Sequence, residues 1–312
     1  MLRSALLACL ISLSVAGRAD AADKLTVLLD WFVNPDHAPL VVAKAGGFFD
    51  RAGLDVELIA PADPSAPPKL VAAGQAEVAI TYQPDLMLLL KEELPLVRFG
   101  TLVETPLNSL VVLKNGPIGE LADLKGKTIG YSVAGFEDLF LGVLLGSVGL
   151  SASDVTLVNV NFNLTGSLMA GQVDAVIGAY RNFELTQLAI EGQEGVAYFP
   201  EEHGVPSYDE LIYVTSVDLK DDSRLSAFLT AVEEATIFLT NHPEAALDMF
   251  LQAYPDLDDE LNRKAWYDTL PRFAKRPAAI DGGRYDRFAE FLKKNGLIDE
   301  VPPFESYNVT PR

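Results

Sequence analysis

The chain has 312 residues, 49% of them hydrophobic, a composition typical of a folded globular protein rather than a disordered one. Its formal net charge of −20 at pH 7 repels phosphate backbones and argues against a nucleic-acid partner. The single cysteine excludes an intramolecular disulfide framework.

The first 21 residues have the pattern of a secretory signal peptide. Arg3 supplies a positive start, an apolar run covers 4–16, and the Ala-Asp-Ala triplet at 19–21 fits a cleavage site. The run is shorter than the roughly 20 residues of a membrane helix, although a short N-terminal anchor is the alternative. Cleavage after Ala21 removes Cys9, so we predict a periplasmic protein without disulfides.

Three landmarks then recur in the same order in the two halves of the chain: a strand entering a helix start, a helix ending in Gly-Leu before a strand, and an Ala-Gly-Gln helix end before a strand. The predicted strands are 25–29, 56–59 and 78–80 in the first half, and 127–131, 155–160 and 175–177 in the second. Each half is therefore predicted to have the element order β-α-β-α-β, which indicates an α/β fold with parallel strands and helices on both faces.

The repeat predicts two lobes, with the second inserted into the first. We expect strands at 109–114 and 208–214 to be the crossings, and four C-terminal helices to cover the first lobe. The predicted helices are 223–239, 243–253, 258–270 and 284–294. The predicted organisation is a signal peptide at 1–21, a discontinuous first lobe at 22–114 and 215–312, and a second lobe at 115–214.

Ligands of open parallel sheets bind beyond the carboxyl ends of the strands, next to helix N-termini. The segments at those positions are 30–37, 60–65, 82–85, 132–137, 161–166 and 180–184. They are rich in aromatic side chains, including Phe136 and Phe183. The predicted ligand-binding residues are Asp30, Trp31, Asn34, His37, Tyr82, Ser132, Gly135, Tyr180, Asn182 and Glu184.

Aromatic faces stack on flat rings, and carboxylates accept hydrogen bonds from ring amino groups, so this set favours a flat, nitrogen-rich heterocycle. Each residue also has a structural alternative: Trp31 as core, His37 as a helix cap, and Glu184 as an ordinary helix-start carboxylate. Near Gly135, a helix start offers backbone N–H groups to a ligand substituent. No histidine or cysteine spacing predicts a metal site, and no motif predicts a cofactor.

The runs 29–39, 47–49, 53–57, 124–130 and 174–178 resemble the NMT1/THI5-like group of solute-binding proteins. The resemblance implies a type II periplasmic-binding-protein fold with two Rossmann-like lobes, and a monomer that delivers its ligand to an ABC permease in the inner membrane. It also implies a thiamine pyrimidine precursor, of the formylaminopyrimidine or hydroxymethylpyrimidine type, as the small heterocyclic ligand. Trp31, Tyr82 and Tyr180 would then contact the ring, and Asn34 and Glu184 would bond its nitrogens.

Two alternatives stay open within the resemblance. The same fold can bind riboflavin, an aromatic amine or a sulfonate, and a sulfonate calls for an arginine in the cleft, for which Arg181 is the only candidate. Eukaryotic relatives are pyrimidine synthases that need a cysteine-rich run with iron, plus pyridoxal phosphate. Since no cysteine follows residue 21, we predict a binding protein without enzymatic activity or cofactor.

Overall fold

The computed structural model describes residues 22–311, so the predicted signal peptide lies outside the described residues. The strands are β1 (Asp23–Leu28), β2 (Leu54–Ile59), β3 (Val78–Thr81), β4 (Leu96–Val103), β5 (Asn108–Leu113), β6 (Thr128–Tyr131), β7 (Thr156–Asn159), β8 (Ala175–Tyr180), β9 (Gly195–Tyr198) and β10 (Leu211–Ser216). The helices are α1 (Ala38–Ala45), α2 (Phe48–Arg51), α3 (Pro67–Ala72), α4 (Gln83–Lys91), α5 (Phe136–Ser147), α6 (Leu164–Met169), α7 (Glu184–Ile190), α8 (Ser223–Asn241), α9 (Pro243–Ala253), α10 (Glu260–Thr269), α11 (Gly282–Lys294) and α12 (Phe304–Tyr307).

The strands form two five-stranded sheets with the same topology, in the orders β2-β1-β3-β10-β4 and β7-β6-β8-β5-β9. In each sheet three strands are parallel, and the remaining two pair antiparallel to their neighbours. The repeated β-α-β-α-β pattern produces this arrangement because each crossover helix returns the chain to the end of the sheet where the previous strand began, so the next strand runs parallel to it. The predicted α/β fold class is confirmed.

The sheets divide the chain at other positions than predicted. Strand β5 lies in the second sheet and β10 in the first, so the chain passes between sheets at 104–107 and 199–210 rather than near 114 and 214. The sequence prediction had no strand over β4, whose residues are all buried and therefore show no alternating pattern. We propose that each sheet with its helices forms one lobe, with boundaries at these two connections.

The C-terminal helices mainly pack against the first lobe, where α8 lies on α1 and α2 and α9 lies on α1. Phe228 of α8 stacks on Phe49 with ring centroids 5.5 Å apart and also contacts Phe99 and Tyr213 of the sheet. One helix departs from the prediction, because α10 also contacts α7 of the second sheet. Among residues 22–311, no helix combines the length and apolar character needed to cross a bilayer.

Candidate ligand-binding site

A small cavity of about 20 Å³ lies between the two sheets, at the carboxyl ends of β1, β3, β6 and β8. Its wall comprises Asp30, Trp31, Asn34, Asp36, Tyr82, Phe136, Glu137, Leu164, Gly178, Tyr180, Phe183 and Glu184. The cavity lies at the same ends of the strands as the ligand position predicted from the repeat.

Six of the ten predicted residues lie in this wall: Asp30, Trp31, Asn34, Tyr82, Tyr180 and Glu184. The sequence analysis did not single out Asp36, Glu137, Leu164 or Gly178. The two acidic residues stand in first turns of helices, where carboxylates are common for electrostatic reasons alone. Gly178 carried a usable signal, because a glycine inside a strand often marks a close approach of other atoms.

His37 lies behind the wall and not in it, contrary to the prediction. Its Nδ1 accepts a hydrogen bond from the Asn34 backbone N–H at 3.3 Å, which leaves Nε2 to donate to Asp30 Oδ1 at 3.0 Å. Both ring nitrogens are therefore used within the protein. Asp30 also accepts from the Tyr82 hydroxyl at 3.1 Å, so His37 and Tyr82 together fix its carboxylate.

Ser132 and Gly135 are also absent from the wall. The Ser132 backbone N–H donates to Glu137 Oε2 at 2.8 Å, and its hydroxyl donates to the Asn161 carbonyl. The N–H groups that we expected to meet a ligand substituent thus hold a carboxyl group instead. Gly135 lies in a separate surface groove along α5, which Leu297 lines on the other side.

The wall carries four carboxyl groups, from Asp30, Asp36, Glu137 and Glu184, and all four are buried. No lysine, arginine or histidine lines the cavity within residues 22–311. Burial is costly for a carboxylate without a cationic partner, and such a group tends to retain its proton; Asp30 differs from the other three because His37 Nε2 lies 3.0 Å from it. The cavity therefore offers hydrogen-bonding carboxyl groups to a ligand that brings N–H donors or positive charge.

Glu184 begins α7, and its Oε2 accepts a hydrogen bond from the Tyr180 backbone N–H at 2.7 Å. Burial raises the pKa of Glu184 to about 8, although the Tyr180 N–H opposes this rise. Burial also raises the pKa of Glu137 well above its usual range, against hydrogen bonds from the Ser132 and Val133 N–H groups. With a pKa of about 8, Glu184 mostly holds its proton at pH 7 and can donate as well as accept. Burial shifts the pKa of Glu137 in the same direction.

Asp36 has a different environment at the other end of the wall. Its Oδ1 accepts from Asn182 Nδ2 at 2.8 Å, while its buried Oδ2 has no partner within residues 22–311. Burial raises the pKa of Asp36 to about 6, so this carboxyl group is mostly ionised at pH 7. The buried Tyr180 hydroxyl also lacks a protein partner among the described residues. These two free polar atoms mark a second polar position in the cavity.

Aromatic rings from both sheets meet around the cavity. Trp31 lies edge-on to Phe162 with centroids 4.6 Å apart, and Tyr82 lies 4.7 Å from Phe136. Trp31 and Tyr82 follow strands of the first sheet, whereas Phe162 and Phe136 follow strands of the second. These contacts therefore join the two lobes. The rings make an apolar frame around the carboxyl groups, suited to a flat aromatic ligand.

The raised pKa values predict that the ligand-free protein loses stability as pH rises. Burial raises the pKa of Asp36, Glu210 and Glu184 to about 6, 7 and 8, so these groups hold protons when folded that the unfolded chain releases near pH 4. Their contribution is complete below the unfolded pKa and is lost as pH rises through about 6 to 8. One pKa unit on one group corresponds to about 1.4 kcal/mol.

We therefore expect a Tm several degrees lower at pH 8.5 than at pH 5.5, measured by calorimetry without ligand. Glu210 lies outside the cavity wall and is fully buried, so Glu210→Gln should flatten part of the slope without changing the wall. A Tm that is equal at both pH values, or higher at pH 8.5, would contradict the assigned burial effects.

Two sheets of common topology, joined by two connections and enclosing a cavity, define the periplasmic-binding-protein fold. The alkanesulfonate-binding protein of Xanthomonas axonopodis pv. citri, solved with MOPS, superposes with a TM-score of 0.70. It shares 15% sequence identity, and the match covers 90% of this chain and 95% of that one. At that identity the likeness is one of fold.

The chain belongs to the NMT1/THI5 like family, whose model matches residues 34–246. A putative thiamine biosynthesis protein of Haemophilus influenzae is 53% identical over 290 residues, 93% of this chain and 92% of the relative. The formylaminopyrimidine-binding protein of Halalkalibacterium halodurans is 34% identical, covering 76% and 73%. A 4-amino-5-hydroxymethyl-2-methylpyrimidine phosphate synthase of Legionella pneumophila is 26% identical, covering 89% and 88%.

Proposed function

We propose that the protein binds a 4-aminopyrimidine precursor of thiamine and delivers it to an ABC importer. The observation that carries the proposal is the cavity itself, in which four buried carboxyl groups stand inside an aromatic frame and no described lysine, arginine or histidine lines the wall. An aminopyrimidine complements such a wall: its flat ring packs against the aromatic side chains, its exocyclic amine donates hydrogen bonds, and its ring nitrogen accepts one. The relative named for binding formylaminopyrimidine supports the same ligand class.

The neutral carboxyl group of Glu184 suits the amine and the adjacent ring nitrogen together. Its O–H donates to the ring nitrogen, while its other oxygen accepts from the amine, as in other paired carboxyl contacts. Trp31, Tyr82 and Tyr180 then contact the ring, and Asn34 and Asp30 complete the same side of the wall. In this proposal Asp36 and the Tyr180 hydroxyl meet polar groups of the ring substituent, which is supported by their lack of a protein partner among the described residues.

A sulfonate fits the wall poorly because an anion would face four carboxyl groups. Arg181, the candidate for an anion site, pairs with Glu201 at 2.6 Å and donates to the Asn108 carbonyl at 3.0 Å. Its guanidinium also lies 3.9 Å from the centre of the Phe199 ring, so it is fully engaged away from the cavity. This chain therefore shares its fold with the alkanesulfonate-binding protein, but its cavity does not favour a sulfonate ligand.

The synthase alternative also lacks its groups in the wall. Pyridoxal phosphate needs a lysine amine to form its Schiff base and cations for its phosphate, and the cavity wall contains neither. Among residues 22–311, no three or more His, Cys, Asp or Glu side chains are grouped to hold a metal ion. The residues present thus do not fit that chemistry, and we propose a binding protein rather than an enzyme.

Delivery to a permease, a periplasmic location and a monomeric state belong to the same proposal. They are supported by the fold that the chain shares with periplasmic binding proteins and by the predicted signal peptide at 1–21. In this scheme the two lobes close on the pyrimidine and carry it to the inner membrane.

A thermal-shift screen on residues 22–312 tests the ligand class. We expect hydroxymethylpyrimidine or formylaminopyrimidine to raise Tm by several degrees, since a ligand at about 100 times its Kd adds about 2.7 kcal/mol of stability. Riboflavin, aromatic amines and alkanesulfonates at the same concentration should leave Tm within one degree. A shift with an alkanesulfonate or riboflavin alone would overturn the pyrimidine proposal and leave the fold unaffected.

A further inference from the structure

Three buried polar side chains from both lobes meet at the Asp36 end of the cavity. Asp36 lies in a short 3-10 helix over Pro35–His37, and Thr269 ends α10; both belong to the first lobe. Asn182 lies between β8 and α7 of the second lobe. Their exposed fractions are 2%, 0% and 1%, so solvent does not compete for their hydrogen bonds.

The hydrogen bonds among them can form in one direction only. Thr269 donates its hydroxyl proton to the Ala265 carbonyl at 2.7 Å, so it can offer only a lone pair to another group. Asn182 Nδ2 donates one hydrogen to Thr269 Oγ1 at 2.7 Å and the other to Asp36 Oδ1 at 2.8 Å. Both amide hydrogens of the second lobe are thus used by acceptors of the first.

We infer that Asn182 is a positioning residue that couples lobe closure to ligand contact by bridging Asp36 and Thr269. Asn182 was predicted to touch the ligand, but it lies outside the cavity wall and acts through Asp36. The bridge exists only when the lobes are closed, and it holds the free Oδ2 of Asp36 at the cavity. A ligand donor on Oδ2 therefore stabilises the closed state and slows its own release. The release effect rests on the proposed function; the bridge between lobes does not.

Charge and geometry make the bridge sensitive to isosteric changes. Asn182→Asp would place a carboxylate against the Asp36 carboxylate. It would also face the Thr269 hydroxyl, which cannot donate to the new carboxylate because its proton goes to the Ala265 carbonyl. Thr269→Val keeps the side-chain shape but leaves one Asn182 hydrogen without an acceptor. A lost bond to a charged group costs more than a neutral one, so we expect dissociation to be faster by about 30-fold and about tenfold, respectively.

The pH profile gives a readout that a purely structural residue would not change. Asp36 is faced by Asp30, His37, Arg272 and Glu184, and the Asn182 hydrogen bond lowers its pKa against the effect of burial. Without that bond the pKa of Asp36 rises above about 6. In Asn182→Asp, affinity should therefore be lost on acidification at a higher pH than in the wild type.

The experiment is stopped-flow dissociation of hydroxymethylpyrimidine from residues 22–312, with formylaminopyrimidine as a second probe. We expect the two variants to accelerate dissociation by the stated factors, with association changed less than threefold. Thr269→Ser, which restores the hydroxyl, should restore slow dissociation. Thr236→Val removes an equally buried helix hydroxyl, bonded to Val232 O at 2.8 Å and remote from the cavity, and should have no effect.

Distances between spin labels on the two lobes measure how far the lobes are closed. They test the Asn182 bridge independently of the proposed ligand. If neither pyrimidine binds the wild type, the proposed function fails, and the unliganded distances decide the bridge. Asn182→Asp and Thr269→Val must then deplete a closed population that the wild type shows. Unchanged dissociation in both variants, or a wild type without a closed population in either condition, overturns the inference.

Discussion

Replacing Glu184 with leucine is expected to lower affinity for hydroxymethylpyrimidine by about 100-fold, measured by isothermal titration calorimetry at pH 7. Leucine removes the two hydrogen bonds to the amine and ring nitrogen and leaves the ligand's polar edge against an apolar group. Each unsatisfied buried polar group costs about 1–3 kcal/mol, and 100-fold corresponds to about 2.7 kcal/mol. Unchanged affinity would remove Glu184 from the binding site.

Glu184→Gln is the matched variant, because glutamine also presents one acceptor and one donor on a side chain of the same shape. We expect it to retain affinity within about tenfold of the wild type at pH 7. Above pH 8 the wild-type carboxyl group ionises in the free protein and must regain a proton on binding, so wild-type affinity falls. The glutamine variant should show no such fall between pH 7 and 9.

Gly178→Ala is expected to damage both binding and stability. Gly178 has a φ of +95°, and an added Cβ would lie 2.3 Å from Glu137 Oε1 and 2.7 Å from its carboxyl carbon. Glu137 cannot move away easily, since it is buried and its other oxygen accepts from the N–H groups of Ser132 and Val133. We expect affinity to fall at least 100-fold and unfolding free energy to fall by about 3 kcal/mol or more.

Gly171→Ala separates the clash from backbone strain. Gly171 also has a positive φ, +66°, and lies in the second lobe, but an added Cβ would meet no atom within 4 Å. It should lose about 1–2 kcal/mol of stability from strain and keep wild-type affinity. If Gly178→Ala binds as well as Gly171→Ala, the Glu137 carboxyl group is not part of the ligand site.

The sequence predicted the parallel core of each sheet because the signals there are local. Each predicted strand of the repeat is bounded by a helix end or a helix start with recognisable chemistry, such as Gly53 before β2 and Asn34 after β1. Strands β4 and β5 were different. Both are buried along nearly their whole length, so their residues do not reveal which sheet they enter, and the predicted boundaries differ from the connections between the sheets.

The segments predicted from the sequence include residues that line the cavity, but the sequence did not indicate which side chains face it. Asn34, Asp36 and His37 lie within one turn, yet only the first two line the wall, because His37 turns inward to Asp30. Asn182 illustrates a second limit: its partner Thr269 is 87 positions away along the chain. Only the packing of α10 against α7 brings the two together, and no local pattern encodes it.

The central claim is that carboxyl groups in an aromatic cavity recognise the N–H donors of an aminopyrimidine. Calorimetric titration with hydroxymethylpyrimidine and with its 4-oxo analogue, in which a carbonyl replaces the amine, tests it most directly. We predict that the amine binds at least about 100-fold more tightly, because the carbonyl oxygen would face Glu184 Oε2, which the Tyr180 N–H holds as an acceptor. Equal affinity for the two pyrimidines would contradict the account.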